Sequence, residues 1–494
     1  LNGRVGARRT GLGGKREDVA ALAVLFLLGL VVRLWRIGSE NLWFDEWFSL
    51  CRALEPLAAL LRGQHLAVSP PLYYLLLKPW VVLFGDAEAV LRLPSALAGA
   101  AAVPLVAQVG RRLFDRATGL SAALLFAVFP YHVRYSQEAR MYALIVLLGL
   151  LSVAFFLARR ERETPGNAVG YVLSSAALLY THYFGGFVLL AQGVVVVVAA
   201  WHEREQPRAL LRWALDVAVV AVLFALWVPT LLRQLAEAPR ALGWVQEYGA
   251  TVARRVLHLL PWPLLLFLAA GIVAAVVAVL QRPRARRIAV EPWVLLLAWF
   301  LVPHLGLLVL SVAVLPLYVV RYAIVGLPAV VLGIAAAVRS LRPMVLQRGV
   351  VLAVAAGLLL LTVRASARAD KPQWREALAW VAERAAGEDL VLVSGWESSY
   401  YVEREPRLRG GAVRYQARAD GGATDGVRVD RPRVWYVQQL HWEVPTSLAC
   451  NYVAWERQEF SQVAVTLFQK ADPGDAAVLL PRRQGAGVGE GLAR

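Results

Sequence analysis

Cysteine is nearly absent: the 494 residues hold only Cys51 and Cys450, far apart and without metal-type spacing, so neither a disulfide framework nor a zinc site is implied. Charge is scarce as well, at 18% of residues, and acids are the rarer sign, with 35 Asp and Glu against 52 Lys and Arg. No P-loop is present. The one glycine cluster, Gly11-Leu-Gly13-Gly14, precedes an apolar run instead of following a strand, which removes the soluble nucleotide-binding fingerprints. No long internal repeat is visible, which disfavours a transporter built from repeated halves.

What fills the chain is apolar: 59% of residues are hydrophobic and the mean hydropathy is +0.54, beyond the range of about 45–50% apolar residues usual for soluble domains. Runs of the roughly 17–25 residues needed to cross a hydrocarbon core recur from Val19 to Val363. The expected class is a membrane all-α protein, a polytopic helical bundle of about 11 to 13 spans. Spans are expected near 19–36, 89–110, 118–133, 140–158, 168–180, 184–200, 213–233, 261–281, 292–312, 322–339 and 349–363. The first has no small-residue cleavage site after it and reads as a retained span. The run Pro71 to Phe84 is short and contains Lys78 and Pro79, so it reads as re-entrant or interfacial.

The net charge of +17 would suggest nucleic acid in a soluble protein, but here it is topological information, and no nucleic-acid partner is expected. Arg4, Arg8, Arg9, Lys15 and Arg16 precede the first span and place the 1–18 tail in the cytoplasm. Arg111, Arg112 and Arg116, then Arg159, Arg160 and Arg162, then Arg204, Arg208 and Arg212, then Arg282 to Arg287, then Arg339, Arg342 and Arg348 all fall on that same side. The expected setting is the inner (plasma) membrane of a bacterium, with the N-terminus cytoplasmic. Residues 19–363 would form the membrane domain, with a first outer loop at 38–69. From Arg364 the composition turns polar. Trp374 to Arg384 reads as an amphipathic helix, and Leu390 to Val393, Val434 to Gln438 and Val463 to Phe468 read as strands. These predict a small extracytoplasmic α/β domain over 364–480, followed by a disordered tail at 481–494.

Ionisable groups are few on the outer side of this map, and such groups at membrane depth usually mark function. Asp45 and Glu46 stand among Trp43, Phe44, Trp47 and Phe48 in the first outer loop; a carboxylate there could accept the proton of an attacking hydroxyl, although solvated acids in an interfacial helix would look the same. Tyr131 to Tyr142 carries Tyr135, Gln137, Glu138 and Arg140 between two spans. Its guanidinium groups suit a phosphate, or else a structural pairing network. Tyr180-Thr-His182-Tyr183 forms an outer turn in which the His is a ligand, proton carrier, sugar contact or ordinary interfacial residue. Arg321-Tyr322, at the mouth of a late span, either binds phosphate or anchors the helix end.

In order along the chain, Asp45-Glu46, Pro70-Pro71-Leu-Tyr73-Tyr74, Arg92-Leu-Pro94-Ser95, Tyr135-Ser-Gln137-Glu138-Ala-Arg140-Met-Tyr142 and Tyr180-Thr-His182-Tyr183 resemble the GT-C membrane glycosyltransferases, in the branch of protein O-mannosyltransferases and the lipid A aminoarabinose transferase. The resemblance covers about Arg33 to Tyr322. It implies transfer of a sugar from a polyprenyl phosphate donor to a lipid, glycan or protein hydroxyl on the extracytoplasmic side. Asp45 would be the base, and Glu46 and Glu138 companion carboxylates. Arg140, Arg321, Tyr135, Tyr322 and Tyr74 would hold the donor phosphate, and His182, Tyr183, His65 and Gln137 would touch substrate. The family pattern commonly has His before the two prolines, whereas this chain has Ser69, with His65 four residues earlier. No cofactor is required; a divalent metal on Asp45, Glu138 and His182 stays open, because no spacing rule requires one. The competing reading is a polytopic transporter or lipid-linked sugar flippase.

Overall fold

Proline stands at two of the breaks in the apolar runs of this chain, Pro130 and Pro229. In the computed structural model the described residues are 12–63, 69–202, 207–241, 290–314, 318–368, 370–408, 413–415, 429, 431–440 and 444–470. The expected span at 261–281, the basic run Arg282 to Arg287, His65, the first eleven residues and the tail at 481–494 lie outside them. The chain divides into two units: Leu1–Gly38 with Ser49–Ala367, and Ser39–Phe48 with Arg368–Arg494.

The first unit is helical. It contains α1 (Leu12–Leu34), the second half of α2 (Phe44–Leu54), α3 (Leu57–Arg62), α4 (Leu72–Phe84), α5 (Glu88–Leu113), α6 (Arg116–Ala127), α7 (Pro130–Ser136), α8 (Tyr142–Glu161) and α9 (Pro165–Thr181). There follow α10 (Gly186–His202), α11 (Pro207–Ala225), α12 (Val228–Ala241), α13 (Val290–Ala313), α14 (Leu327–Val338) and α15 (Met344–Ser366). The run expected as one span at 118–133 is two helices. Pro130 lacks an N–H and disfavours helical backbone in the residue before it, so α6 ends and Pro130 restarts the chain as the first residue of α7. The run at 213–233 is likewise broken: α11 and α12 meet at 71°, with Pro229 in the first turn of α12.

Among the described residues six helices are long and apolar enough to cross a membrane, or seven if α11 and α12 form one span. The chain is an integral membrane protein. Of the other expected crossings, α1 has the length but carries Glu17, Asp18 and Arg33, and α6 is only 12 residues long. The short run before α5 forms the 13-residue α4, whose Lys78 Nζ donates to the carbonyls of Ala53 (3.2 Å) and Glu55 (2.6 Å) at the end of α2.

The core of this unit is the packing of α5, α6 and α8 with α10, α13 and α14 around Phe126, Tyr142, Trp299 and the aliphatic residues between them. The α5–α6 crossing is as close as backbone allows: a Cβ on Gly119 would stand 2.3 Å from the Ala107 carbonyl oxygen, and one on Gly110 2.7 Å from Gly119 Cα. Small residues permit this approach, which gains dispersion contact where lipid offers no hydrophobic drive between helices. One end of the bundle is laced with ion pairs, Arg111 and Arg116 with Asp18 and Arg339 with Asp115.

The second unit holds a five-stranded sheet in the order β2-β1-β3-β5-β4, with α16 (Trp374–Arg384), α17 (Ser398–Val402) and α18 (Thr446–Asn451). Strands β1 (Leu390–Val393), β2 (Val413–Tyr415) and β3 (Arg433–Gln439) run parallel, and β4 (Tyr452–Phe460) and β5 (Val463–Lys470) form an antiparallel hairpin beside β3. Every residue of β1 is buried, as expected for a parallel strand covered on both faces. One face packs Leu390, Leu392, Val434, Tyr436 and Phe468 against Leu448 and Tyr452.

Candidate active site

Six of the side chains expected from sequence or beside them form a series of neighbours at one end of the first unit, opposite its ion-paired end. Starting from α7, the ring of Tyr135 meets that of Tyr142 at 5.0 Å, and the Arg140 guanidinium stands 6.0 Å from the Tyr142 ring. Arg140 is close enough to His182 for its positive charge to act on the imidazole. His182 packs on Tyr322 at 5.5 Å, the Arg321 guanidinium stands 5.8 Å from the Tyr322 ring, and Arg321 lies within electrostatic range of the Tyr135 phenol. Glu138 acts on the same phenol with the opposite sign and also lies 3.9 Å from Arg134. Two guanidinium groups are thus held in one aromatic setting, where the reduced dielectric strengthens any charge-assisted hydrogen bond they make.

The backbone of Arg140 is built into the bundle. Ser95 Oγ donates to its carbonyl at 3.0 Å, and Tyr73, 3.1 Å from Ser95 Oγ, must then donate to that oxygen. Arg140 N–H donates to the Glu138 carbonyl (2.8 Å) and Nη1 donates to Ser49 Oγ (3.2 Å). The Pro-Pro-Leu-Tyr-Tyr and Arg-Leu-Pro-Ser motifs therefore meet at this residue. Tyr74 is the other tyrosine of the pair: it is fully buried beneath Arg52, 5.8 Å from its ring, and its hydroxyl has no partner among the described residues.

A second support comes from two residues the sequence reasoning passed over. Arg33 of α1 is fully buried and donates to the carbonyls of Gly29 (2.8 Å) and Ala127 (2.9 Å), to Ser136 Oγ (3.2 Å) and to His132 Nδ1 (2.7 Å). A guanidinium can only donate, so Nδ1 accepts and the His132 proton sits on Nε2. This fastens α7, and with it the 137–140 turn, to α1 and to the end of α6. A Cβ on Gly99 would strike Ser136 Oγ at 2.2 Å, so α5 also needs a glycine here. The available signal was a charge inside the first apolar run, which reads there as a helix end at the interface.

Not every expected substrate contact reaches this group. Gln137 Nε2 donates to the carbonyls of Arg33 (3.1 Å) and Trp35 (2.8 Å), capping α1. The Tyr183 hydroxyl is engaged by Gln234 and by Trp227 Nε1 (2.9 Å), and Tyr180 donates to the Leu223 carbonyl (2.8 Å), so both tyrosines clasp the break between α11 and α12. His182 ends α9, where its backbone N–H donates to the Leu178 carbonyl, and its Nδ1 accepts from Phe184 N–H at 3.3 Å, capping the short 3-10 turn Tyr183–Gly185.

Asp45 and Glu46 belong to the second unit. Both sit in the first turn of α2, a favourable place for carboxylates next to the positive end of a helix dipole. Glu46 is fully buried and pairs with Lys371 at 2.9 Å, whereas Asp45 is half-buried. The strand of chain before them is sewn into the same unit: Asn41 Nδ2 donates to Glu376 (2.8 Å) and to the Pro372 carbonyl (3.1 Å), the Tyr401 hydroxyl accepts from Leu42 N–H (2.6 Å), and Trp47 packs on Trp396 at 5.9 Å. Among the described residues no three His, Cys, Asp or Glu side chains gather closely enough to hold a metal ion.

Comparison with known proteins finds the same architecture elsewhere. Residues 68–232, about a third of the chain, match the profile of the dolichyl-phosphate-mannose-protein mannosyltransferase family. The structure of ArnT from Cupriavidus metallidurans in the apo state superimposes with a TM-score of 0.55 at 14% identity, over 91% of this chain and 98% of that one. The same protein bound to undecaprenyl phosphate gives 0.54 at 15%, over 90% and 97%. The oligosaccharyltransferase of Archaeoglobus fulgidus, in a complex with Zn and sulfate, gives 0.52 at 14%, over 85% of this chain and 68% of that one. No curated protein sequence matches. The chain thus shares the fold of these GT-C membrane proteins, and its residues 68–232 are similar to the mannosyltransferase family.

Proposed function

We propose that the chain transfers a sugar from a polyprenyl phosphate donor to an acceptor hydroxyl on the extracytoplasmic side of the membrane. The observation that carries this reading is that Arg140 lies beside Tyr142 and Arg321 beside Tyr322, whose rings pack in turn on Tyr135 and His182. Guanidinium groups suit the oxygens of a phosphate, and the tyrosine faces suit a sugar or prenyl surface. A related fold has been solved with undecaprenyl phosphate bound, which supports a lipid-linked donor here.

In the proposed reaction the acceptor oxygen bonds to the anomeric carbon as the bond from that carbon to the phosphate oxygen breaks. Asp45 takes the hydroxyl proton, and polyprenyl phosphate leaves with its growing negative charge met by Arg140 and Arg321. A single displacement inverts the anomeric centre. Glu46, buried against Lys371, anchors the turn that presents Asp45, while Glu138 orients Tyr135 and Arg134. A transporter would place its site at broken helices in corresponding halves; the described residues contain one bent pair, α11 with α12.

The test is consumption of a polyprenyl phosphate sugar by purified protein in bilayers. Wild type should release polyprenyl phosphate, and Asp45→Asn should reduce the rate by at least ~100-fold with insertion unchanged, as for loss of a general base. An intact donor after incubation with wild type rejects enzymatic transfer; a wild-type rate in the Asn variant rejects Asp45 as base.

A further inference from the structure

A cavity of the helical unit lies at its ion-paired end, away from the proposed donor residues. It measures about 220 Å³ and is bounded by the ends of membrane-crossing helices: Arg159 and Arg160 in the last turn of α8, Glu163 between α8 and α9, Arg212 and Asp216 in α11, and Glu291 at the start of α13. These six charges form three pairs. Arg159 holds Asp216 through Nε (2.9 Å) and Nη2 (3.2 Å), Arg160 meets Glu291, and Arg212 meets Glu163. Tyr171, Trp213 and Phe156 supply the apolar part of the wall.

Among the described residues this lining has three guanidinium and three carboxylate groups, which balance in formal charge. A lone anion would meet the carboxylates, and a lone cation the guanidinium groups. A ligand carrying both signs a few ångströms apart satisfies both. The guanidinium groups have donors to spare, since each offers five N–H and the pair with Asp216 engages two of those on Arg159. The carboxylates accept several hydrogen bonds each and therefore favour a cation that donates, a primary ammonium over a quaternary one. The volume is below the roughly 300–1,000 Å³ of pockets for drug-sized ligands, which suits a headgroup and not a whole lipid. Its position at the ends of membrane spans, beside Trp213, is the level at which headgroups sit.

We propose that this cavity binds the phosphoethanolamine headgroup of a phospholipid, with phosphate on the arginines and ammonium on the carboxylates. The site is separate from the sugar-transfer reading and stands or falls without it. Purified protein exchanged into equal mixtures of phosphatidylethanolamine, phosphatidylcholine and phosphatidylglycerol should retain the first at least about fivefold over the others by native mass spectrometry, a preference of modest free energy. The double variant Arg212→Gln with Glu163→Gln removes the pair that is 42% and 52% exposed, so it should keep its thermal stability in phosphatidylcholine while losing the preference. Equal retention of ethanolamine and choline lipids overturns the proposal, because then the amine hydrogens are not read. Preference for phosphatidylglycerol overturns it as well, since the wall then acts as a simple cation. A preference that survives in the double variant places the lipid elsewhere and also overturns it. Soluble phosphoethanolamine should displace the lipid only at far higher concentration; displacement at equal concentration would make the free headgroup, not the lipid, the ligand.

Discussion

Arg140 is fixed from three directions, through its carbonyl, its amide and its guanidinium, before any substrate arrives. A positive group that needs no reorganisation at the moment of reaction stabilises developing charge more than one that must be recruited. Removing it should therefore show in donor binding. Arg140→Ala and Arg321→Ala should each weaken competition by polyprenyl phosphate by about 10- to 100-fold, the equivalent of a charged hydrogen bond of about 1.5–3 kcal/mol, with acceptor affinity little changed. Unchanged competition in both variants would refute the phosphate assignment. The identities of these residues were readable from the sequence because charge is conspicuous in an apolar chain. Their supports were not: Tyr73 and Ser95 stand in recognisable motifs, but only the fold shows that both serve the Arg140 carbonyl.

Among the elements, α5 and α6 show what apolar patterning cannot announce. Hydropathy marks both as membrane helices, but their closeness depends on Gly110 and Gly119, which the pattern treats as neutral. Gly119→Ala should destabilise the bundle by about 1–3 kcal/mol, because a new methyl at 2.3 Å from a carbonyl oxygen forces the helices apart. Thermal unfolding in detergent measures this, and an unchanged transition would show that the crossing can relax. Breaks were partly legible, since Pro130 and Pro229 are visible in sequence; the 71° angle at the second break is not. In the sheet, β1, β3 and β5 are apolar and were expected, whereas β4 is an edge strand whose Glu456 to Glu459 face solvent and give no apolar alternation.

The sheet unit as a whole carries its own pH response. Burial raises the Glu397 carboxyl above its ordinary value, against the hydrogen bonds it accepts from Trp374 Nε1 (3.1 Å) and Gln439 Nε2 (2.9 Å). The folded state thus holds a proton more tightly than the unfolded state. Its contribution is complete below the ordinary carboxyl range and fades as pH rises through the raised value. Glu397→Gln keeps an oxygen for both donors and should flatten the fall in stability of this unit with rising pH; an identical pH profile in the variant would exclude Glu397 as its source.

At the scale of the whole molecule, basic loops and apolar runs made the membrane class and the helical bundle readable, because lipid penalises charge so strongly that composition alone marks the spans. Orientation is open to a direct measurement. Cys450 is exposed, and with Cys51 replaced by Ser an impermeant maleimide should label it in intact cells without permeabilisation. Labelling only after permeabilisation would invert the proposed topology.

The sequence offered no hint that residues 39–48 fold with a domain more than 300 positions away, because that assignment rests on single contacts such as Glu46 with Lys371 and Asn41 with Glu376. Under the proposed reaction, a chain cut off after Ala367 would keep every recognisable motif and still transfer sugar poorly. The deletion strips the braces from the ten-residue insert that bears Asp45, so a minimal catalytic fragment chosen by motif boundaries would be the wrong one.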